Sequence, residues 1–403
     1  MTELDQEATP SLAQPWGLSL AMLAVVSAGA VTISYLAQPI LTVVAQEFST
    51  STGDLGWIAT SAQVGYAVGI VALLPLADVV SPRRQAQVQL LVAAAFLGLA
   101  SLAQSPMHLA IALFCAGLVS NVAQVLLPLA IRLSPAGRSG RTTAVLTGAL
   151  LFGVFGGRIV VAWICDVLGW RAAILTIAVL MFVLVLLVRW RVPATVRPPT
   201  KASYRELLAS LPSIFRTDAA LRRAASIQFL VFGGFNALWV VTVLHFTQVV
   251  GWSTAQAGLV GLVGIVAAVL TQQAGSIVDR WGPARFLLAA ASLGCVSALT
   301  VVVGANQVPV ILVAMFGITL ANQLTQVANQ TRILRAPAVA GRTNTIYMSI
   351  TFLGGATGSA LGVFTFDLGG ITLTGIIATT ALVLATGLAA LPQRSASVTE
   401  TRE

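Results

Sequence analysis

The sequence predicts an all-helical integral membrane protein with twelve transmembrane helices in two six-helix bundles related by pseudo-twofold symmetry. Composition, run length and an internal repeat carry that prediction. The 403 residues are 57% hydrophobic and 9% charged, with a mean hydropathy of +0.91. A soluble domain carries about 25% charged residues, so this chain lacks the polar content to cover a water-facing surface. A helical span needs about 20 mostly apolar residues.

Twelve runs meet that length or approach it: Leu18–Val44, Leu55–Val79, Gln85–Ala103, Met107–Leu133, Thr142–Asp166, Ala172–Val188, Ala224–Val249, Thr254–Asp279, Phe286–Val303, Val308–Leu334, Thr343–Asp367 and Ile371–Leu391. Backbone groups in hydrocarbon must bond internally, which makes helices the natural form for runs this long. The runs do not alternate in polarity, which excludes a membrane β-barrel. Residues 1–15 hold Glu3, Asp5 and Glu7 without Lys or Arg, so no cleavable signal peptide is expected. Cys115, Cys165 and Cys295 fall inside predicted helices without CxxC spacing and read as packing residues.

The net charge of +9 could suggest nucleic acid, but the positions of the charges argue against it. With both termini in the cytoplasm, 20 of the 22 basic residues lie in the loops and tail of that side, and only Arg171 lies outside. That is the positive-inside bias, and it places a multi-pass chain in the cell (inner) membrane.

The repeat appears at an offset of 201 residues. Asp78, Pro82 and Arg84 recur as Asp279, Pro283 and Arg285, and Gly140-Arg141-Thr142 as Gly341-Arg342-Thr343. Asn121, Gly153, Gly157 and Asp166 recur as Asn322, Gly354, Gly358 and Asp367. Six spans return the chain to its starting side, so the halves are parallel, a plan found among transporters. The predicted divisions are an N-terminal bundle at 1–188, a cytoplasmic linker at 189–223 and a C-terminal bundle at 224–403. The linker carries eight basic and two acidic residues.

The stretches LPLADVVSPRR at 74–84 and GSIVDRWGPAR at 275–285 resemble the loop motif of the major facilitator superfamily, G-x-x-x-D-[RK]-x-G-[RK]-[RK]. YLAQPIL, GVFGGRIV, DVLGWR and GRTNTIYMSITFLGGATGSALG look like its bacterial drug/proton-antiporter and sugar-efflux branch, although the fifth span lacks that branch's Gly-Pro pair. The resemblance implies a secondary active transporter that exports small organic molecules by alternating access, with protons as a coupling ion. It also implies crossed cytoplasmic contacts, Asp78 facing Arg342 and Asp279 facing Arg141, with Arg84 and Arg285 beside them as gating residues. Helices 1, 4, 7 and 10 line the central cavity in that family.

Those spans concentrate the polar residues here: Thr32, Tyr35 and Gln38; Asn121 and Gln124; Gln228, Asn236 and Trp239; Asn322, Gln326, Asn329 and Gln330. The last four share one face at i, i+4, i+7 and i+8. Such residues either bind cargo or bond between helices. Arg158 is the one charge well inside a span. It either binds an acceptor-rich group of the substrate or pairs with a neighbouring helix. No Asp or Glu lies at mid-membrane, which leaves Asp166, His245 and Asp367 as proton-coupling candidates.

No Walker loop, HExxH or nucleophile elbow is present, so no enzyme, cofactor or metal is expected. The expected partners are a small-molecule substrate, the lipid bilayer and protons, with the chain acting as a monomer. A metabolite uptake or exchange permease is the alternative carrier. A non-transporting membrane sensor is the alternative from another class.

Overall fold

Proline and glycine punctuate the apolar runs, and the helices follow them. In a computed structural model, residues 16–135, 138–192, 203–271, 277, 280–333 and 340–391 are described. The chain runs α1 (Trp16–Thr32), α2 (Ala37–Glu47), α3 (Gly56–Leu73), α4 (Pro82–Ser101), α5 (Pro106–Val119), α6 (Val122–Leu133), α7 (Ser139–Leu168) and α8 (Trp170–Arg191). It continues as α9 (Tyr204–Thr217), α10 (Ala219–Gln248), α11 (Thr254–Gly258), α12 (Val260–Thr271), α13 (Pro283–Val303), α14 (Val308–Ile333) and α15 (Ala340–Ala390). Ten segments among the described residues are long and apolar enough to cross a membrane. One of them, Gly341–Ala390, is broken by non-helical backbone at Gly369–Gly370. The 20-residue α4, with Arg83, Arg84, Gln85, Gln87 and Gln89 near its start, falls outside that set.

Two predicted spans of the N-terminal half are interrupted near their middle, and Thr254–Asp279 breaks at Leu259. The run Leu18–Val44 breaks into α1, a 3₁₀ turn at Ile33–Tyr35, and α2. Pro39 has no N–H and its ring would clash with the Tyr35 carbonyl in a continuous helix. The break moves it into the first turn of α2, where it is tolerated. The run Met107–Leu133 breaks at Ser120–Asn121. There Ser120 Oγ donates to the Gly117 carbonyl at 2.8 Å and Asn121 Nδ2 to the Leu118 carbonyl at 3.1 Å, competing with the helical ladder. The two breaks touch, with Ser34 Oγ and Ser120 Oγ 3.5 Å apart.

The repeat is visible in the backbone. Gly169 and its mate Gly370 both adopt positive φ, +85° and +64°, in the tight turns that follow the fifth and eleventh predicted spans. A side chain is strained there, so both halves place glycine.

Packing within each half is close. Gly153 and Gly157 of α7 lie against Ala28 and Thr32 of α1, and Thr32 Oγ1 donates to the Gly153 carbonyl at 3.1 Å. Their mates Gly354 and Gly358 of α15 lie against Phe229 and Gly233 of α10. Small residues at i, i+4 let helix backbones approach in this way.

The halves meet along α3–α15 and along α7 with α11 and α12. The amphipathic α9 caps one end, here the linker end. Its start carries a capping box between Ser203 and Glu206, and Leu207 and Leu211 are buried. It bridges the halves: the Tyr204 hydroxyl donates to the Ala72 carbonyl at 2.6 Å, and Arg342 Nη1 donates to Ser210 Oγ at 3.1 Å.

At the opposite, distal end, Arg171 pairs with Glu47, and Trp170 Nε1 donates to Glu47 at 2.5 Å. Both charged side chains of this pair are about 40% exposed (42% and 41%). Exposed pairs contribute about 0–1 kcal/mol. Glu47→Gln should therefore lower the melting temperature of the purified protein by no more than a few degrees in a thermal unfolding scan.

Candidate functional site

A buried polar layer crosses the molecule at mid-height. Gln38 and Gln63 come from the N-terminal half, Asn236 and Ser359 from the C-terminal half. All four are at most 1% exposed. Gln63 Nε2 donates to Asn236 Oδ1 at 3.1 Å, and Ser359 Oγ donates to Gln63 Oε1 at 3.2 Å. Gln38 Nε2 lies 3.5 Å from Asn236 Oδ1 and 3.4 Å from Ser359 Oγ. Arg158 joins through its Nε, which donates to Gln38 Oε1 at 3.2 Å.

The repeat explains why these residues converge. Tyr35, Gln38 and Arg158 are the offset mates of Asn236, Trp239 and Ser359. The Gln38 amide joins Arg158 to Ser359, one mate to the other, so it sits at the junction of the two halves.

Arg158 is 4% exposed. Its guanidinium carbon lies 4.3 Å from the Tyr35 ring centroid, 4.5 Å from Trp239 and 5.5 Å from Phe155. Arginine at the bilayer centre costs at least about 2.5–3.5 kcal/mol on insertion scales. Each ring returns about 0.5–2 kcal/mol through its quadrupole. Nη1 and Nη2 have no hydrogen-bond partner among the described residues.

On the linker side of this layer lies a cavity of about 110 Å³. Its wall includes Tyr35, Tyr66, Gln124, Phe155, Asn322 and Gln326. Aromatic contacts close it from both halves, with Tyr66 4.2 Å from Phe352 and Phe155 5.1 Å from Trp239. Pockets for drug-sized ligands hold about 300–1,000 Å³, so this cavity is too small for a ligand of that size. Gln124 also lines a cavity of about 290 Å³ at the linker end, with Asp78, Arg132 and Arg342. At the distal end a vestibule of about 1270 Å³ is lined by Asp166 and Asp367 with Gln248 and Thr52. The vestibule is bridged by Gln248 Nε2, which donates to Thr52 Oγ1 at 3.2 Å, and by Ser51 Oγ, which lies 3.4 Å from an Asp367 oxygen.

The remaining predicted residues divide by partner. Asn121 accepts from Gln89 Nε2 at 2.8 Å, inside the N-terminal half and off the cavity wall. Asn322 lines the cavity while accepting from Gln228 Nε2 at 3.0 Å. Asn329 Nδ2 lies 3.4 Å from both Gln228 Oε1 and the Ala224 carbonyl, between α14 and α10. Gln330 turns to Asn344 at 3.5 Å and to the Met348 sulfur. The α14 face thus splits between cavity and helix seam. His245 is buried near the distal end of α10, 6.1 Å from the Phe246 ring. Arg84, Arg141 and Arg285 are exposed, and Asp279 lies outside the described residues.

Asp78 and Arg342 line one cavity, and the Arg342 and Arg132 charges act on Asp78. They form no ion pair; the hydrogen bond recorded for Arg342 goes to Ser210 of α9, an element whose contact with the motif loops has no sequence signature. Gln63 was not expected in the site. Its signal is a lone amide in the apolar run GWIATSAQVGYAVG, overlooked because α3 is outside the four spans that line the cavity in the resembled family. Ser359 carries almost no signal alone, since serine satisfies itself on a helical carbonyl.

A family model described as Major Facilitator Superfamily matches residues 20–359. The uncharacterized transporter YgaY of Escherichia coli O157:H7 is 31% identical over 372 residues, spanning 92% of this chain and 92% of that protein. The probable transporter SCO4007 of Streptomyces coelicolor is 33% identical over 346 residues, spanning 85% and 80%. The crystal structure of the nucleoside transporter NupG superposes with a TM-score of 0.69 at 14% identity, over 93% of this chain and 98% of that one. That of the human organic anion transporter MFSD10 (TETRAN) gives 0.69 at 15% identity, over 93% and 100%. At such identities the structural likeness concerns the fold.

Proposed function

The chain belongs to the major facilitator superfamily, and from that premise we propose that it is a secondary active carrier exporting small organic molecules by alternating access, coupled to protons. It is a multi-pass membrane transporter rather than an enzyme. The observation that carries the mechanistic reading is the buried polar layer, in which Gln38 and Gln63 of one repeat bond Asn236 and Ser359 of the other, with Arg158 attached through Gln38. Paired, these amides hold the two bundles together; unpaired, each is costly in hydrocarbon, so the seam parts at low cost only where something else bonds them. A carrier needs a seam whose hydrogen bonds a substrate replaces.

In this reading twelve spans form two bundles, at 1–188 and 224–403, with 189–223 between them in the cytoplasm. Both termini are cytoplasmic, in the inner membrane of a bacterium. The linker end is then the cytoplasmic face, and the bridges between Thr52 and Gln248 and between Ser51 and Asp367 close the outer route. Rocking of the halves opens one end as it closes the other. Tyr35, Gln38, Gln124, Arg158, Asn236, Trp239, Asn322 and Gln326 are the proposed substrate contacts. Asp166 and Asp367 on the vestibule, with His245, are the proposed proton carriers. Uptake or exchange of a polar metabolite is the second reading, favoured by the amide content of the layer.

Reconstitution into liposomes with an imposed pH gradient, screened against neutral, cationic and anionic compounds, tests the proposal. Gradient-driven movement of a small organic compound is expected. If a broad panel gives no flux above empty liposomes, the carrier reading fails. The gate has its own test, because Asp78 and Arg342 share one cavity. Asp78→Arg alone should reduce transport about tenfold or more, and adding Arg342→Asp should restore part of it. A double variant no better than the single one counts against a working Asp78–Arg342 attraction.

A further inference from the structure

Among the described residues, no carboxylate faces Arg158. Seven carboxylates are described, and each is engaged or located elsewhere. Glu47 pairs with Arg171, Asp54 accepts from Ser51, Glu206 closes a capping box, and Asp218 caps α10. Asp78 lies in the linker-end cavity, and Asp166 and Asp367 line the distal vestibule. Arg158 keeps only rings and one amide oxygen. Ring faces attract the cation, but they leave its in-plane donors without acceptors. A guanidinium has five such donors in a rigid fork, and here Nη1 and Nη2 are buried and unpartnered. Nε is held by Gln38, which restricts rotation of the fork.

We propose that the substrate is a small organic oxyanion, a carboxylate or a phosphate monoester, bound through two oxygens to the Nη1–Nη2 edge of Arg158. This rests on the carrier reading above and adds the cargo's charge to it. The planar fork matches two coplanar oxygens, and the low dielectric of the site strengthens each charge-assisted bond. The rings of Tyr35, Phe155 and Trp239 give the cargo's body an aromatic surface beside its charged head. Because Nη1 and Nη2 are buried as the halves now stand, an anion reaches them only in a more open arrangement, and its binding favours that arrangement.

Calorimetric titration of the purified full-length protein with four probes sharing one ring tests this: benzoate, phenyl phosphate, benzamide and benzylamine. At least one anion should bind about tenfold or more tightly than benzamide and benzylamine, and which anion wins separates carboxylate from phosphate cargo. Arg158→Gln should erase that preference, and Arg158→Lys should keep part of it. If Arg158→Gln fails to fold, Gln38→Glu serves instead. It sets a carboxylate on the arginine's own partner and should lower the ratio of anion to benzamide affinity about tenfold or more. No anion preference in the wild type, no binding at all at millimolar concentration, or a preference that survives both Arg158→Gln and Gln38→Glu overturns the proposal. Neutral cargo crossing liposomes without any anion preference sinks this inference and leaves the carrier reading intact. Anion binding without flux of any cargo does the reverse.

Discussion

Gly358→Leu should abolish the folded protein, whereas Gly157→Leu at the repeat-related position should leave a measurable fraction folded. The difference lies in what a Cβ meets. At 358 it would fall 2.0 Å from the Gly233 carbonyl oxygen and 2.6 Å from the Gly233 Cα, which are backbone atoms of α10. At 157 it would fall 2.4 Å from Thr32 Oγ1 and 2.6 Å from Thr32 Cγ2, which are side-chain rather than backbone atoms of α1. Overpacking typically costs about 1–3 kcal/mol where neighbours yield, and more where backbone must move. Gly358→Ala drives a side chain into the α10 backbone, while Gly157→Ala presses on the Thr32 side chain and disturbs its bond to Gly153. Size-exclusion profiles and thermal unfolding in detergent should rank wild type above Gly157→Ala, and Gly157→Ala above Gly358→Ala. Equal losses at the two positions would show that displacing the Thr32 side chain costs as much as displacing the Gly233 backbone.

Asn236→Leu should open the distal end. Asn236 Oδ1 is an acceptor for Gln63 Nε2 at 3.1 Å and for Gln38 Nε2 at 3.5 Å. Leucine leaves those buried donors short of a partner, at about 1–3 kcal/mol for an unsatisfied group. The penalty falls on the arrangement in which the halves meet at this layer, so its population relative to the separated one drops by about tenfold or more. Cysteines at Thr52 and Gln248, whose side chains now bond at 3.2 Å, report the closure in a background lacking Cys115, Cys165 and Cys295. Their cross-linking should slow about tenfold in Asn236→Leu. Asn329→Leu is the control: Asn329 bonds Gln228 and the Ala224 carbonyl inside one half. It should lower thermal stability and leave cross-linking unchanged. Slowing by both variants, or by neither, would remove the distinction between the seam and the half.

Much of the site was legible because lipid makes polar side chains conspicuous. Tyr35, Gln38, Arg158, Asn236 and Trp239 stand out in apolar runs, and the structure brings all five together. The same reasoning treated Asn121, Asn329 and Gln330 alike, yet they face Gln89, Gln228 and Asn344 in helix seams. A helix rotation of about 100° per residue turns a side chain from cavity to seam, and in hydrocarbon either place satisfies an amide. Composition therefore marks such residues as buried and bonded without saying to whom. The interruption at Ile33–Tyr35 had a signal in Pro39, whereas the break at Ser120–Asn121 depends on side chains that also tolerate a helix. The engagement of Arg342 by Ser210 had no sequence signature, because it depends on where α9 lies against residues 132 positions away.

The sequence by itself determined a membrane solvent, helices as the only backbone solution for its long apolar runs, and two halves related by 201 residues. Those are consequences of composition and period, and they are local. Tertiary structure decided which amides cross between the halves, that the Arg158 fork keeps two donors unused, and that Asp78 and Arg342 share a cavity without pairing. Each of these depends on the rotation and spacing of helices far apart in the chain, set by contacts such as Gly358 on Gly233 that fix where neighbouring surfaces meet.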